Sequence, residues 1–177
     1  MKAAIWIFLT SFLVVSCDNQ TTLQEYYVEN QAQKEFIALD IPASLVTGAN
    51  STLSGEQRAT LETVEKINFL AFPKKEENQA QYEQEKEKVA EILKDEKYQQ
   101  LMRFGKNGLH IQLYYSGEED AIDELVIYGT DETKGFGLAR VTGNDMDPEA
   151  MIRLMKSFEK GNLDLSGLPD LQNAFKD

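Results

Sequence analysis

One cysteine and one histidine occur in 177 residues, and each scarcity removes a class of chemistry. A lone cysteine leaves no intrachain disulfide framework, so packing alone must hold the folded part together. A lone histidine, His110, would have to serve as the base of any Ser-His-Asp or Cys-His arrangement. It alternates with apolar residues in a strand-like run, and no G-x-S-x-G elbow lies near it. It therefore reads as an exposed or sheet-edge histidine. Cations are also short, with 18 Lys and Arg against 30 Asp and Glu and a net charge of −12. Such a balance argues against nucleic acid as a partner, because phosphate neutralisation needs Lys and Arg. It equally disfavours adsorption to an anionic lipid surface. Long apolar runs are missing beyond Ala3–Val15, and that run is shorter than the roughly 20 residues a spanning helix needs.

What the N-terminus does contain is a positive Lys2, the short apolar run and then Ser16-Cys17, the form of a secretory signal peptide. Val14-Val15-Ser16-Cys17 resembles a bacterial lipobox, with Val14 and Ser16 at positions where Leu and Gly or Ala are commoner. The resemblance implies that Cys17 becomes the mature N-terminus, with a diacylglycerol on its thiol and an acyl chain on its amine. Several chains together make a stable anchor, each buried methylene contributing about 0.8 kcal/mol. Ordinary cleavage that leaves Cys17 as a free thiol is the alternative. Lipidation would also exclude zinc sites built from Cys and His. The chain then divides into a signal peptide (1–16), a lipidated polar tether (17–21) and a single domain (22–177).

Within that domain Thr22-Leu23-Gln24-Glu25 is a capping box for a helix from Leu23 to about Gln31, and Ser54 to Gln57 is a second one. Phe36–Ile41 and Ile67–Phe72 are apolar runs, each ended by a proline. With the helix between them they predict a βαβ unit with a right-handed crossover. Glu76–Phe104 reads as helical, either straight or bent near Asp95, and ended by Gly105, with exposed i, i+3 pairs Glu83/Lys86, Glu85/Lys88 and Glu91/Lys94. Leu109–Tyr115, Ile122–Tyr128 and Phe136–Val141, separated by glycine-bearing turns, predict an antiparallel meander. Asp147-Pro148 opens a last helix with Asp at the N-cap and Pro at N1, and Asn162–Asp177 packs loosely after it. The fold expected is α+β, a single domain with a five-stranded mixed sheet covered by helices.

Candidate chemistry is sparse. Gly135-Phe136-Gly137 follows a turn instead of joining strand to helix, and no third glycine stands at the spacing of a dinucleotide loop. The one constellation of interest is acidic. In a meander, Glu118, Glu119 and Asp120 would share one end of the sheet with Asn144, Asp145 and Asp147. Oxygen ligands so placed suit calcium or magnesium, although the spacing is not that of an EF-hand. A solubilising turn beside a helix cap accounts for the same residues.

The stretches Phe36–Leu45, Ile122–Gly129 and Gly135–Met146 resemble the domain-of-unknown-function family numbered 4252, exported lipoproteins of the Bacteroidetes group. That resemblance implies lipid attachment at Cys17 and one continuous domain, and it implies no activity, cofactor or catalytic residue. The expected protein is a cell-envelope lipoprotein, with the outer membrane favoured over the inner. Its domain lies in the periplasm or on the cell surface and acts as a non-enzymatic binding or regulatory module with an envelope partner. A calcium- or magnesium-binding protein or metal-dependent enzyme using the acidic loops is the alternative.

Overall fold

The computed structural model describes residues 21–42, 44 and 53–159, the side chains of 157–159 excepted. The expected signal peptide, Cys17, most of the expected tether, most of the Gly48–Ser54 loop and the Asn162–Asp177 tail lie outside the described residues. The elements are α1 (Leu23–Asn30), β1 (Ile37–Pro42), α2 (Gly55–Glu62), β2 (Val64–Pro73), α3 (Gln79–Ile92), β3 (Gln99–Lys106), β4 (Leu109–Glu118), β5 (Ala121–Asp131), β6 (Gly135–Met146) and α4 (Pro148–Glu159). A 3₁₀ turn, Glu76–Asn78, leads into α3.

Local chemistry sets the helix starts. The Thr22 hydroxyl accepts from Glu25 N while the Glu25 carboxylate accepts from Thr22 N, which closes the capping box on α1. Ser54 and Gln57 do the same for α2. Asp147 accepts from the amides of Glu149 (2.8 Å) and Ala150 (3.3 Å), and Pro148 occupies the first helical position of α4.

The sheet differs from the five-stranded mixed one that the sequence predicts. It has six strands in the order β1-β2-β6-β5-β4-β3, and every neighbouring pair is antiparallel. No βαβ unit joins β1 to β2. Pro42, the last residue of β1, pairs with Lys66 near the start of β2, so the chain leaves and returns at one end of the sheet. The helix between them has 8 residues, about 12 Å. That is too short to carry the chain back along a 10-residue strand of about 33 Å. The longer crossover is the one through α3, from β2 to β3 at the far edge.

The sixth strand comes from the end of the expected long helix. That helix stops at Ile92, and Asp95 closes the following turn by accepting from Lys97 N at 2.9 Å. Residues 99–106 then pair with β4 through a two-residue hairpin, with Asn107 at φ 53° and Gly108 at φ 85°. Positive φ at both central positions is the type I′ pattern that Asn-Gly favours and that matches strand twist. Gly105 is no helix cap; it lies within β3 opposite His110. The meander itself is present, as β4, β5 and β6.

Alternation along the strands gives the sheet two covered faces. Leu70, Phe72, Val126, Tyr128, Phe136 and Leu138 pack against α1 and α3. Ile122, Leu125, Val141 and Met146 pack against Met151 of α4, and Leu61 of α2 meets Leu154 of α4. The first face is aromatic, with Phe72 stacked on Phe136 at 5.8 Å and Phe36 edge-on to Phe72 at 5.0 Å. The hydroxyl of Tyr128, also in this cluster, is buried with no hydrogen-bond partner among the described residues.

Gly135 has φ 121°, and a Cβ there would stand 2.1 Å from the Phe72 carbonyl oxygen; at Gly108 nothing lies within 4 Å. Gly135→Ala should therefore lower unfolding free energy by more than about 2 kcal/mol. Gly108→Ala should cost about 1 kcal/mol, the strain of left-handed backbone alone. Equal denaturant midpoints for the two variants would contradict this. Tyr128→Phe removes an unpaired buried hydroxyl and should leave stability unchanged or raise it by up to about 1 kcal/mol; a lower melting temperature would show that the hydroxyl is satisfied.

Candidate binding site

Helices α1 and α3 lie on the same face of the sheet and leave a cleft of about 520 Å³ between them. Helical spacing supplies its walls. On α3, Gln81, Glu85, Lys88 and Ile92 recur at intervals of three and four and form one stripe. On the other side stand Tyr26, Glu29 and Asn30 of α1, then Gln33 and Phe36 beyond it.

Glu85 is the central group. The sequence places it on a solvated face, yet it is only 6% exposed, because α1 packs over it. Its Oε2 accepts from the Tyr26 hydroxyl at 2.8 Å, and its Oε1 accepts from Lys88 Nζ at 2.7 Å. The other two expected pairs, Glu83/Lys86 (2.7 Å) and Glu91/Lys94 (2.6 Å), are formed as well. Burial first, then the hydrogen bond to Glu85 and its charge, push the Tyr26 phenol far above the ordinary tyrosine value. Tyr26 therefore stays a donor across the whole physiological range and holds the carboxylate in place.

A second polar feature crosses the same face near one end of the sheet. Register sets Asp40 of β1 beside Asn68 of β2, and Asn68 beside Arg140 of β6. Arg140 Nε donates to Glu124 Oε1 of β5 at 2.7 Å, and the Tyr98 hydroxyl donates to the same oxygen at 3.3 Å. Asn68 and the Tyr27 hydroxyl both donate to Asp40. Burial opposes the ionisation of Asp40, but the bonds from Tyr27, Asn68 and Lys66 outweigh it and keep the carboxyl below its usual range. Asp40 and Glu124 stand on strands three intervals apart, about 14 Å. That exceeds the separation over which two carboxylates act on one glycosidic bond. The row ties the sheet to α1 and to the α3–β3 loop.

The acidic residues singled out by sequence do share one end of the sheet. Glu118 closes β4, Glu119 and Asp120 form the turn, and the 144–147 segment follows beside it through the Ile122–Met146 pair. Their side chains take up separate tasks. Asn144 donates to Glu65 at 2.6 Å, and Asp147 caps α4. Among the described residues no group of three or more His, Cys, Asp or Glu side chains is placed to hold a metal ion. His110 is exposed and lies over Gly105.

Glu85, Tyr26, Asn68, Arg140 and Glu124 escape a sequence reading. For Asn68 and Arg140 a signal exists, a single polar residue inside an apolar run. For Glu85 none does, since its i, i+3 lysine makes it look solvated.

Several buried phenols give the fold a common alkaline limit. Burial chiefly, with neighbouring carboxylates, raises Tyr26, Tyr98 and Tyr128 well above 10, and Tyr27 is pushed up to about 12. In the unfolded chain these groups lose protons near pH 10, while the folded chain retains them. Stability should thus hold up to that pH and fall as pH rises through the folded values. Denaturant midpoints that stay constant beyond about pH 11 would refute this.

Among the described residues no helix is long and apolar enough to cross a membrane. No curated protein and no solved structure is significantly similar to the chain. A family model described as Domain of unknown function (DUF4252) matches residues 26–154, from Tyr26 in the cleft to Leu154 on α4. The match takes in all six strands and the whole of α3, and by it the chain belongs to the DUF4252 family.

Proposed function

We propose that the protein is an exported lipoprotein of the Bacteroidetes type, anchored in the cell envelope through Cys17, whose domain binds a partner or ligand in the α1–α3 cleft. The observation that carries this reading is the position of Thr21. That residue lines the cleft and follows Cys17 by four residues, a reach of at most about 14 Å. A lipid at Cys17 would therefore keep the cleft within one tether length of the bilayer surface. The buried, hydrogen-bonded Glu85 and the amide side chains of Asn30, Gln33 and Gln81 offer the few convergent polar groups that a binding site needs. The net charge of −12 leaves attachment to the lipid and none of it to a basic patch.

Two measurements test the two halves of the reading. Labelled palmitate should be incorporated by the wild-type chain in its bacterial host and lost in Cys17→Ala; unchanged labelling would refute the anchor. A photo-crosslinking residue at Gln33 should give an envelope adduct, whereas one at His110, on a distant strand, should not. Adducts of equal yield from both positions, or from neither, would refute the cleft as the binding surface.

A further inference from the structure

The groups that line the α1–α3 cleft are unequal in charge and in freedom. Three carboxylates, Glu29, Glu85 and Glu91, and one cation, Lys88, line it, and Glu91 is already paired outside that set with Lys94 at 2.6 Å. The two partners of the central ion pair are also held differently. The Glu85 side chain is 8% exposed and that of Lys88 is 61% exposed. The fold itself fixes the carboxylate, through burial and the Tyr26 hydroxyl at 2.8 Å. The ammonium of Lys88 sits on a flexible stem in solvent, held by the carboxylate it touches.

An ammonium bound in this way is exchangeable. A carboxylate accepts about four hydrogen bonds, and Glu85 receives one on each oxygen. A charge pair formed where water is partly excluded is stronger than the same pair in bulk solvent. Lys88 Nζ, at 2.7 Å from Oε1, already shows that a primary ammonium has room to donate there.

We propose that the cleft receives a primary ammonium group, which displaces Lys88 from Glu85 and draws on Glu29 for the remaining negative potential. This rests on the cleft being the binding site, as proposed above. The ammonium belongs either to an ethanolamine lipid head group at the membrane surface or to a soluble amine; both present the same three N–H donors.

The test is a titration of the full-length protein, followed by backbone amide NMR shifts, with ethanolamine and with choline. Ethanolamine should give saturable shifts confined to α1, α3 and Gln33–Phe36, and choline, which has no N–H, should give none. Glu85→Gln should weaken ethanolamine binding at least tenfold. Lys88→Met, which removes the internal competitor and keeps the stem, should strengthen it severalfold. Absent shifts, equal responses to choline, or Lys88→Met weakening the binding would overturn the proposal. If Glu85→Gln fails to fold, the sign of the Lys88→Met effect decides, because that side chain lies in solvent. Shifts on vesicles of phosphatidylethanolamine but not of phosphatidylcholine, with free ethanolamine weak, identify the lipid source. The reverse order identifies a soluble amine, and both support the ammonium. Should amines fail while the Gln33 crosslink still forms, the ligand chemistry falls and the cleft reading stands.

Discussion

The pairing of β2 with β6 is the constraint on which the other elements depend. It joins residues 64–73 to 135–143 through nine residue pairs, across some 70 positions of sequence, and ties the β1–β2 pair to the meander. Phe72 falls opposite Phe136 in that register, and their rings stack. The aromatic surface so formed is what Phe36 and Tyr82 pack against, and Tyr26 follows by packing on Phe36. Both α1 and α3 therefore take their positions from one long-range pair of strands. The cleft between them inherits its width from the same source.

The two faces of the sheet are built to different rules. The side under α4 is aliphatic and methionine-rich. The side under α1 and α3 also buries Asn68, Glu85 and Glu124. Burying a carboxylate costs more than burying a leucine of similar size and is tolerable only when the group is paired and hydrogen-bonded. Aliphatic residues at positions 26, 85 and 88 would pack the same helices with less difficulty. The hydrogen bond from Tyr26 to Glu85 instead fixes the spacing between α1 and α3, since a small displacement would leave a buried charge with one donor fewer. Polar directionality on one face and apolar packing on the other thus distinguish the two sides of the sheet.

Most of what was legible in the sequence was local. Thr22 with Glu25, Ser54 with Gln57, and Asp147 with Pro148 announce helix starts within four residues, and the structure forms each of them. The strands of the meander were equally plain from their glycine turns. Two features were not, because tertiary pairing decides them. Leu101 and Met102 suit a helix as well as a strand by spacing, and only the hairpin at Asn107-Gly108 commits them to β3. The direction of β1 relative to β2 depended on whether the helix between them is long enough to span the sheet, which periodicity does not state. Glu85 was hidden for a related reason, since its burial comes from Tyr26, 59 residues away.

The place of β6 in the sheet bears on how the chain is made. It is the last strand to be synthesised, yet it lies between β2 and β5 with a partner on either side. Until residue 146 has left the ribosome, β1 and β2 have no sheet to join, and β3, β4 and β5 form a meander without its inner neighbour. Folding is then late and dominated by contacts distant in sequence, the condition that slows two-state domains most. The sheet order thus sets a timetable in which the two halves of the sheet meet only when the last strand is in place.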